Sequence, residues 1–518
     1  MNQTFVSALQ NPELFPHPVS GFELIETHIS WVLLTGDFVY KIKKPVNFGF
    51  LDYSTLEQRA HFCKEELRLN QRLAPDLYLA VIPVYGSAES PSLKPDGQPI
   101  EYMVKTRQFR QQDLLGNLQR DGLLQNWHID QLAERLAAFH ADIQTVAADA
   151  PQGLPEQVHA PVTQNFEQIR QLINQPDQLS RLQTLENWAN TTFDRLHAQL
   201  QQRRDSGFIR ECHGDIYLDN VTLVDGQVTL FDCIEFNEDF RWIDTMSDVA
   251  FMVMDLRDRQ LDRLANRFLN RYLEITGDYA GLAVLDYYIA YRAMVRAKVA
   301  LLRLTQPIDE AGRLEVMQRY TGYISLAMAC CTRNKPLGLI MHGVSGSGKS
   351  TLGLQLVEQL GCVRLRSDIE RQRLFADHKE SDRYSAQAGD AVYQLLGRLS
   401  QLVLDAGRNL LIDATHLQQR QRQLAREQIT ASSGIALILH CHAPLEQLEQ
   451  RIQQRQQQGE DPSEADIDIL HKQLAALQPL VSDEQAISLD ANQPLVNLLQ
   501  EIGKRRDAAC VTSNSTEK

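Results

Sequence analysis

The chain has 518 residues, of which 43% are hydrophobic and 23% are charged, and its formal net charge is −14. This length exceeds what a single hydrophobic core supports, so several domains are expected. An acidic surface repels nucleic acids and anionic membranes, which favours small-molecule substrates and argues against polynucleotide and membrane partners. These quantities leave the oligomeric state open.

The eight cysteines form no CxxC pair and have no regular spacing. This favours reduced thiols over a disulfide framework. The first residues contain neither a basic nor an apolar signal region, and no apolar run reaches the length of a membrane span. We therefore expect a cytoplasmic protein.

The first part of the chain predicts a β-rich lobe followed by a larger helical lobe. A strand pair is expected within 21–46 around the turn "LTGD", followed by a helix over 54–75 that begins at a serine cap and ends before Pro75. Two further strands follow in "LYLAVIPVYG" and "PIEYMVKTRQF". Helical patterns then run from about 113 to 210 and from about 245 to 330, and two short strands flank the turn "DGQ" between them.

Between the two helical regions lies "ECHGDIYLDNVTLVDGQVTLFDCIEF", which contains His213, Gly214, Asp215, Asn220 and Asp232. An aspartate in a tight loop can accept the proton of a hydroxyl during in-line phosphoryl transfer. An asparagine five residues later and an aspartate on the next strand can together bind Mg²⁺ between the phosphates of ATP. The order of these residues indicates phosphotransfer, with Asp215 as the catalytic base.

This motif resembles that of the aminoglycoside phosphotransferase branch of the protein-kinase-like fold, whose H-G-D-x-x-x-x-N pattern the chain reproduces. The resemblance spans about 20 to 330. It implies a two-lobed α+β domain that binds ATP and Mg²⁺, with Asn220 and Asp232 as the metal ligands.

The same resemblance implies a strand lysine that holds the α- and β-phosphates and a helix glutamate paired with it. "FVYKIKK" offers Lys41, which we prefer over Lys43. "CKEELRLNQRL" offers Glu65 and Glu66, of which the register favours Glu66. The chain departs from the family in having no G-x-G-x-x-G loop, because "ETHISWVL" occupies that place. The grip on the phosphates is then expected to come from a loop without glycines.

The pattern changes at "TRNKPLG", residues 332–338, where strands and helices begin to alternate. Strands are predicted in "LGLIMHGV", "CVRLRS", "NLLIDA" and "IALILHCH", with helices over 349–360, 387–406 and 417–432. Short apolar strands separated by helices indicate an α/β domain with a parallel, doubly wound sheet. The predicted domains are 1–331 and 336–500, followed by a C-terminal tail over 501–518.

Directly after the first of these strands, "GVSGSGKST" fits the G-x-x-x-x-G-K-[ST] pattern of a P-loop. Glycines let backbone N–H groups surround phosphates, and the following helix directs its positive end at them. The lysine is expected to bridge the β- and γ-phosphates, and the serine hydroxyl to hold Mg²⁺. The predicted ATP-binding residues are Gly343, Gly346, Gly348, Lys349, Ser350 and Thr351.

Five further side chains are candidates for this second site. Asp413 ends the strand "NLLIDA" and is placed to reach Mg²⁺, while Asp368 ends "CVRLRSD" with Arg371 one helical turn on. Both carboxylates are predicted at the carboxyl edge of the sheet, where ligands bind; the alternative role for each is a helix N-cap. Arg451 and Arg455 share one helical face before a polar loop. They are expected to clamp the transferring phosphate as part of a lid, with solvated surface arginines as the alternative.

The second half resembles the small P-loop kinases of the polynucleotide kinase, gluconate kinase and zeta-toxin type over about 336–490. The matching stretches are "RSDIER", "LIDATHLQQRQR" and "HAPLEQLEQRIQQR" with the following "DPSEAD". By this resemblance Asp368 orients or deprotonates the acceptor hydroxyl, and Arg371 contacts the acceptor or its phosphate.

Together the two resemblances predict a bifunctional ATP-dependent phosphotransferase that acts on hydroxyl groups of small molecules. One alternative is a polynucleotide 5′-hydroxyl kinase activity in the second domain. Another is a regulatory role, in which one domain binds ATP without turnover. Nothing in either motif identifies the acceptor.

Overall fold

The computed structural model describes residues 3–49, 51–305, 307–332, 335–378, 385–458, 466–490 and 494–516. The chain divides into two compact units. The first comprises Met1–Arg259 and Tyr287–Ala327, and the second comprises Gln260–Asp286 and Met328–Lys518. The second unit therefore includes a segment that lies well inside the first predicted domain, whereas the domain limits drawn from the sequence stay a prediction.

The first unit begins with a six-stranded antiparallel sheet in the order β1-β2-β3-β6-β4-β5. Helix α2 packs on β4 and β6, and its N-cap is Thr55 rather than the serine before it. The elements are α1 (Gln3–Ala8), β1 (Glu23–Glu26), β2 (Ser30–Leu34), β3 (Phe38–Lys43), α2 (Leu56–Gln71), β4 (Tyr78–Gly86), β5 (Pro91–Ser92) and β6 (Glu101–Arg107). The predicted strand pair, the helix and the two later strands are confirmed.

A helical part completes the first unit and carries two small strand pairs. β7 pairs with β10, and β8 pairs with β9 through the turn Asp225–Gly226, in which both residues have positive φ as a tight hairpin requires. The elements are α3 (Leu115–Arg120), α4 (Asn126–Asp142), α5 (Pro155–Leu172), α6 (Pro176–Asp205), β7 (Ile209–Glu211), β8 (Val221–Val224), β9 (Gln227–Leu230), β10 (Trp242–Asp244), α7 (Thr245–Asp258), α9 (Leu282–Leu302) and α10 (Glu310–Ala329).

The second unit is built on a five-stranded parallel sheet in the order β12-β13-β11-β14-β15, which confirms the predicted α/β architecture. Its central strand is buried at every position because helices cover both faces. The elements are α8 (Asp262–Thr276), β11 (Leu337–His342), α11 (Lys349–Leu360), β12 (Val363–Arg366), α12 (Ser367–Leu374), α13 (Ala386–Asp405), β13 (Leu410–Asp413), α14 (Gln419–Ala431), β14 (Ile435–His442), α15 (Leu445–Gln458), α16 (Ile467–Ala476), β15 (Ile487–Asp490) and α17 (Leu495–Thr516).

The C-terminal region differs from the sequence prediction. Residues 501–516 continue helix α17 instead of forming a tail. The helix is held because Leu498 and Ile502, one turn apart, are buried in the core of the second unit, at 3% and 2% exposure. Among the described residues, no helix combines the length and the apolar character needed to cross a bilayer.

Candidate active sites

The His213–Asp215 loop of the first unit is fixed by a buried carboxylate on α7. Asp248 accepts hydrogen bonds from the backbone N–H groups of His213, at 2.9 Å, and Gly214, at 3.0 Å. The His213 ring accepts from the Asp215 N–H at Nδ1, over 3.3 Å, and its Nε2–H donates to the Phe231 carbonyl over 2.9 Å. Burial lowers the pKa of His213, which favours this neutral ring. His213 therefore shapes the loop and carries no charge.

Asp215 and Asn220 are brought together by this loop. The Asn220 Nδ2 donates to the Asp215 carbonyl over 2.9 Å and to its carboxylate over 3.1 Å. Burial raises the pKa of Asp215 to about 6, against the opposing effect of Arg296 and Arg292 on α9. A carboxylate that titrates near neutral pH is suited to general-base chemistry. Arg296, whose guanidinium lies 4.9 Å from the centre of the Tyr217 ring, was not found by sequence reasoning.

Lys41 joins the β-rich lobe to the loop after β9. Its Nζ lies 2.8 Å from Asp232 Oδ1 and 2.9 Å from Glu66 Oε1. Asp232 has a φ of +65°, which is uncommon for a residue with a side chain and is found most often at functional sites. Its side chain is 41% exposed, so the carboxylate is open to a ligand. Lysine, glutamate and aspartate thus meet as the sequence predicts for a nucleotide site.

Lys43 lies deeper than Lys41 and belongs to a buried network. It contacts Glu66 Oε2 at 2.7 Å, the Tyr53 hydroxyl at 3.3 Å and the Glu235 carboxylate, and its side chain is only 1% exposed. Glu235 was missed by sequence reasoning, although an acidic residue three positions after a candidate metal ligand is a usable signal. Every contact of Lys43 is internal, so it supports Glu66 while Lys41 faces the site.

The structure also separates the two candidate glutamates on α2. Glu65 pairs with Arg68 at 2.8 Å and lies 3.5 Å from Arg241, away from both lysines. Glu66 is fully buried and binds both lysines. The geometry therefore places Glu66 at Lys41, in keeping with the register argument.

One buried group in the first unit has the composition of a metal site but acts as loop support. His140, Cys212 and Asp248 place ligand atoms within 4.8 Å of one another. Both Asp248 oxygens already accept from backbone N–H groups, and His140 Nε2 lies 3.4 Å from one of them. Burial also raises the pKa of the Cys212 thiol, which favours the protonated sulfur in this packed arrangement.

The second unit encloses a cavity of about 690 Å³ at the carboxyl edge of its parallel sheet. The P-loop forms one wall. The cavity is lined by most of the predicted residues, namely Gly346, Gly348, Lys349, Ser350, Thr351, Asp368, Arg371, Asp413, Arg451 and Arg455. Of the sequence-predicted set for this site, Gly343 alone does not line the cavity.

Gly343 instead makes the turn that forms the P-loop. Its φ is +146°, and a Cβ added there would lie 2.2 Å from the Cys441 carbonyl oxygen on β14. Gly346 and Gly348 also have positive φ, so the loop curls and ends where α11 begins at Lys349. The backbone of the following turn and the positive end of this helix then face the cavity, which is a favourable site for phosphate.

Lys349, at the start of α11, and Asp413, at the end of β13, both line the cavity. Lys349 Nζ donates to the Val344 carbonyl over 2.8 Å, and burial lowers its pKa. Asp413 is 5% exposed, and among the described residues its Oδ2 has no hydrogen-bond partner, with Arg366 Nε 4.0 Å away. A buried carboxylate oxygen without a donor, in a cavity that the P-loop residue Ser350 also lines, fits a Mg²⁺ ligand.

Neither second-site aspartate caps a helix. Asp413 is followed by the loop 414–418, and Asp368 lies inside α12, whose N-cap position is Arg366. Arg451 donates to the Gly346 carbonyl over 3.2 Å, so it reaches the P-loop rather than solvent. Gln473 on α16, which sequence reasoning missed, accepts from the Ser345 N–H over 2.7 Å.

The loop proposed to act as a lid after Arg455 is centred on 459–465, outside the described residues. The two arginines that precede it both line the cavity.

Comparison with known proteins gives two family matches. Residues 54–285 match the phosphotransferase enzyme family, and residues 339–480 match a family described as an AAA domain. The chain is 30% identical over 452 residues to the uncharacterized protein Rv2004c of Mycobacterium tuberculosis. The aligned region covers 84% of this chain and 87% of that protein. A protein of Mycobacterium bovis matches to the same extent. The family matches confirm both resemblances and the fold class expected from the sequence.

Solved structures similar to each half are kinases by title. A choline/ethanolamine kinase family protein from Mesorhizobium loti is 12% identical with a TM-score of 0.39, covering 64% of this chain and 98% of its own. A gluconokinase from Sinorhizobium meliloti 1021 is 20% identical with a TM-score of 0.26, covering 36% of this chain and 100% of its own.

Proposed function

Because this chain belongs to the same family as Rv2004c and combines a phosphotransferase domain with a P-loop domain, we propose that each half binds ATP with Mg²⁺ and phosphorylates a hydroxyl group of a small molecule. The observation that carries the proposal is that each unit separately gathers a lysine, a candidate base and candidate metal ligands.

In the first unit, Lys41 is assigned to the α- and β-phosphates and is oriented by Glu66. Asn220 and Asp232 are the residues that would hold Mg²⁺, which when bound offsets charge on the phosphate oxygens. Asp215 accepts the proton of the acceptor hydroxyl as the hydroxyl oxygen bonds to the γ-phosphorus. The bond from this phosphorus to the β,γ-bridging oxygen breaks, and ADP leaves. The hydrogen bond from Asn220 orients the Asp215 carboxylate for this step.

In the second unit, the P-loop amides and Lys349 are assigned to the phosphates, and Ser350 with Asp413 would hold Mg²⁺. Asp368 receives the proton of the acceptor hydroxyl. Arg371, Arg451 and Arg455 line the same cavity and supply positive charge for the transferring phosphoryl group. The cavity is polar at the P-loop and apolar at Leu489, Leu495 and Leu498, which suits a nucleotide with a charged and an aromatic end.

A screen for ATP consumption tests the proposal and assigns each activity. The full chain is incubated with Mg·ATP and a panel of hydroxylated metabolites, together with a 5′-hydroxyl oligonucleotide. The assay is repeated for each positive compound with Asp215→Asn, which disables the first site, and with Lys349→Ala, which disables the second. We expect small molecules to be positive and each to depend on one of the two variants.

Two outcomes would replace the proposal. Turnover confined to the oligonucleotide and lost in Lys349→Ala would identify the second unit as a polynucleotide kinase. Binding of ATP at one site, with no dependence of any turnover on that site, would make it a regulatory nucleotide site.

The thiols support a reducing, cytoplasmic setting for this chemistry. Of the eight cysteines, the seven whose side chains the structure describes are free, and six of these are buried. Proteins of oxidising compartments more often pair their cysteines. Reaction of the native protein with a thiol reagent should therefore modify few cysteines, and denaturation should release the rest.

A further inference from the structure

Except for its last residue, the segment Gln260–Asp286 lies inside the stretch 54–285 that matches the phosphotransferase enzyme family, yet its contacts place it in the second unit. It contains α8 and the short turn of helix Tyr279–Gly281. Helix α8 packs against α11, which follows the P-loop, and against β12. A segment of the first predicted domain thus packs as part of the second structural unit.

Asn270 on α8 pairs with the open edge of the parallel sheet. β12 is an edge strand. The Asn270 Nδ2 donates to the Cys362 carbonyl over 2.8 Å, and its Oδ1 accepts from the Arg364 N–H over 2.7 Å. A side-chain amide that both donates and accepts in this way takes the place of a neighbouring strand and covers the edge.

Glu274, one turn further along α8, reaches the P-loop through one arginine. Glu274 Oε1 lies 2.8 Å from both Nε and Nη2 of Arg364, and both side chains are buried. The remaining guanidinium nitrogen of Arg364, Nη1, donates to the Ser350 carbonyl over 3.1 Å. Ser350 is the P-loop residue whose hydroxyl is assigned to Mg²⁺. Glu274 therefore orients Arg364, and Arg364 in turn holds the backbone carbonyl of Ser350.

The same segment also holds α12, which carries Asp368 and Arg371. The Tyr279 hydroxyl donates to Glu370 Oε1 over 3.3 Å. Arg373 donates to the Glu274 carbonyl over 2.6 Å and pairs with Glu370. α12 is anchored on this segment at two points, on the side of the site assigned to the acceptor.

We propose that Glu274 is a positioning residue for the P-loop site, acting through Arg364 on Ser350, and that Tyr279 positions the acceptor-side helix α12 through Glu370. This inference rests on the proposed nucleotide function of the second unit. Its consequence is that a P-loop site at residues 343–351 depends on a segment that the chain supplies from within the phosphotransferase region. The two sequence domains are then not interchangeable modules.

The test uses the full chain and a readout specific to the P-loop. Hydrogen exchange of a peptide spanning 343–352 is followed while ATP is added, with and without Mg²⁺, and the half-saturating concentration is recorded. For Glu274→Gln we expect this concentration to rise about 10-fold with Mg²⁺, the usual effect of losing an outer partner of a metal ligand. Without Mg²⁺ we expect a much smaller change, because Ser350 is assigned to the metal.

Tyr279→Phe should leave the half-saturating Mg·ATP concentration unchanged and speed hydrogen exchange in residues 367–374.

Arg263→Ala is the matched control, because Arg263 lies on α8 but pairs with Glu358 near the end of α11, 3.2 Å away. It should alter neither measurement. Arg364→Lys keeps a positive charge beside Glu274, but a lysine cannot contact Glu274 and the Ser350 carbonyl at once. We therefore expect Arg364→Lys to raise the half-saturating Mg·ATP concentration as Glu274→Gln does. If Glu274→Gln does not fold, Arg364→Lys takes its place in the test.

The outcomes separate this inference from the proposed function. If Lys349→Ala retains full protection of the P-loop peptide, the nucleotide assignment itself is wrong. If Lys349→Ala loses protection while Glu274→Gln and Arg364→Lys bind Mg·ATP like the unchanged chain, the positioning role is wrong. An equal loss of affinity with and without Mg²⁺ would also overturn it, since that pattern reflects general loosening of the unit.

Discussion

Asp215 and Asp232 are carboxylates of one site in unlike surroundings, and their substitutions should separate two functions. Asp215→Asn keeps the loop shape but removes the proton acceptor. We expect turnover by the first site to fall about 100-fold or more, as general-base substitutions usually give. The affinity of the first site for Mg·ATP should stay nearly unchanged in Asp215→Asn.

Asp232→Asn, by contrast, should weaken Mg·ATP binding itself, because the metal loses a charged ligand. Nucleotide titration of both variants with and without Mg²⁺ makes the comparison, beside a turnover assay with an acceptor from the screen. Equal loss of Mg·ATP affinity in the two variants would contradict this division of roles.

The raised pKa of Asp215, about 6, predicts the acid limb of the pH profile. The base must be unprotonated, so kcat/KM of the first site should fall about tenfold per pH unit below that value and level off above it. Stability should change with pH in the opposite direction to activity. Folding raises the pKa of Asp215 from the ordinary 3.8 to about 6 and so favours its protonated form. The contribution of Asp215 to the free energy of unfolding therefore declines as the pH rises through this range. A flat profile between pH 5 and 7 would argue against Asp215 as the base.

Lys41 and Lys43 should respond differently to removal of the amine. Lys43→Met leaves Glu66 and Glu235 facing each other in a buried site, so we expect the free energy of unfolding to drop by about 3–5 kcal/mol. Lys41→Met removes a 21% exposed amine and should mainly weaken nucleotide binding. Denaturant unfolding and nucleotide titration of both variants check this, and the reverse pattern would exchange their roles.

At the scale of elements, the junction of β11 with the P-loop requires glycine at one position. Gly343→Ala would place a methyl group 2.2 Å from the Cys441 carbonyl oxygen at a φ of +146°. We expect the strand ends to move apart and ATP binding by the second unit to be lost, measured by exchange of the P-loop peptide.

Gly389→Ala is the matched substitution in the same unit. Gly389 lies within helix α13, and no atom is within 4 Å of an added Cβ. Alanine there should stabilise the unit by about 0.5–1 kcal/mol through its helix propensity. If both variants behave alike in thermal unfolding and in ATP binding, the strain at Gly343 is not decisive.

At the scale of the whole molecule, we expect the second unit to depend on the segment 260–286, whose Asn270 hydrogen-bonds to the open edge of its sheet. A fragment of 334–518 exposes β12 and leaves the buried Arg364 without Glu274. We expect it to unfold at lower temperature than the unit in the full chain and to aggregate. Joining 260–286 to the fragment through a flexible linker should restore stability, whereas the same segment carrying Asn270→Ala and Glu274→Ala should not. Equal melting of all three chains would contradict this dependence.

The sequence by itself identified the two types of domain and most of the elements. The motif around Asp215 and the P-loop at 343–351 could be recognised because each depends on a short run of residues whose spacing sets the backbone shape. The predicted strands of the first lobe and the alternating strands and helices of the second half follow from local periodicity, and the structure confirms them. Helix α17 was missed, since its polar C-terminal half lacks a clear apolar stripe.

Only the tertiary structure decided which of several similar residues meet. Glu66 rather than Glu65 faces Lys41, Lys43 is paired with Glu235, and Gln473 reaches the P-loop, through contacts between residues as much as 192 positions apart. The membership of 260–286 in the second unit is of the same kind. Local periodicity shows which face of a helix is apolar but not which surface will cover it. That choice depends on the burial and pairing of side chains far apart in the chain, and these exist only once the chain has folded.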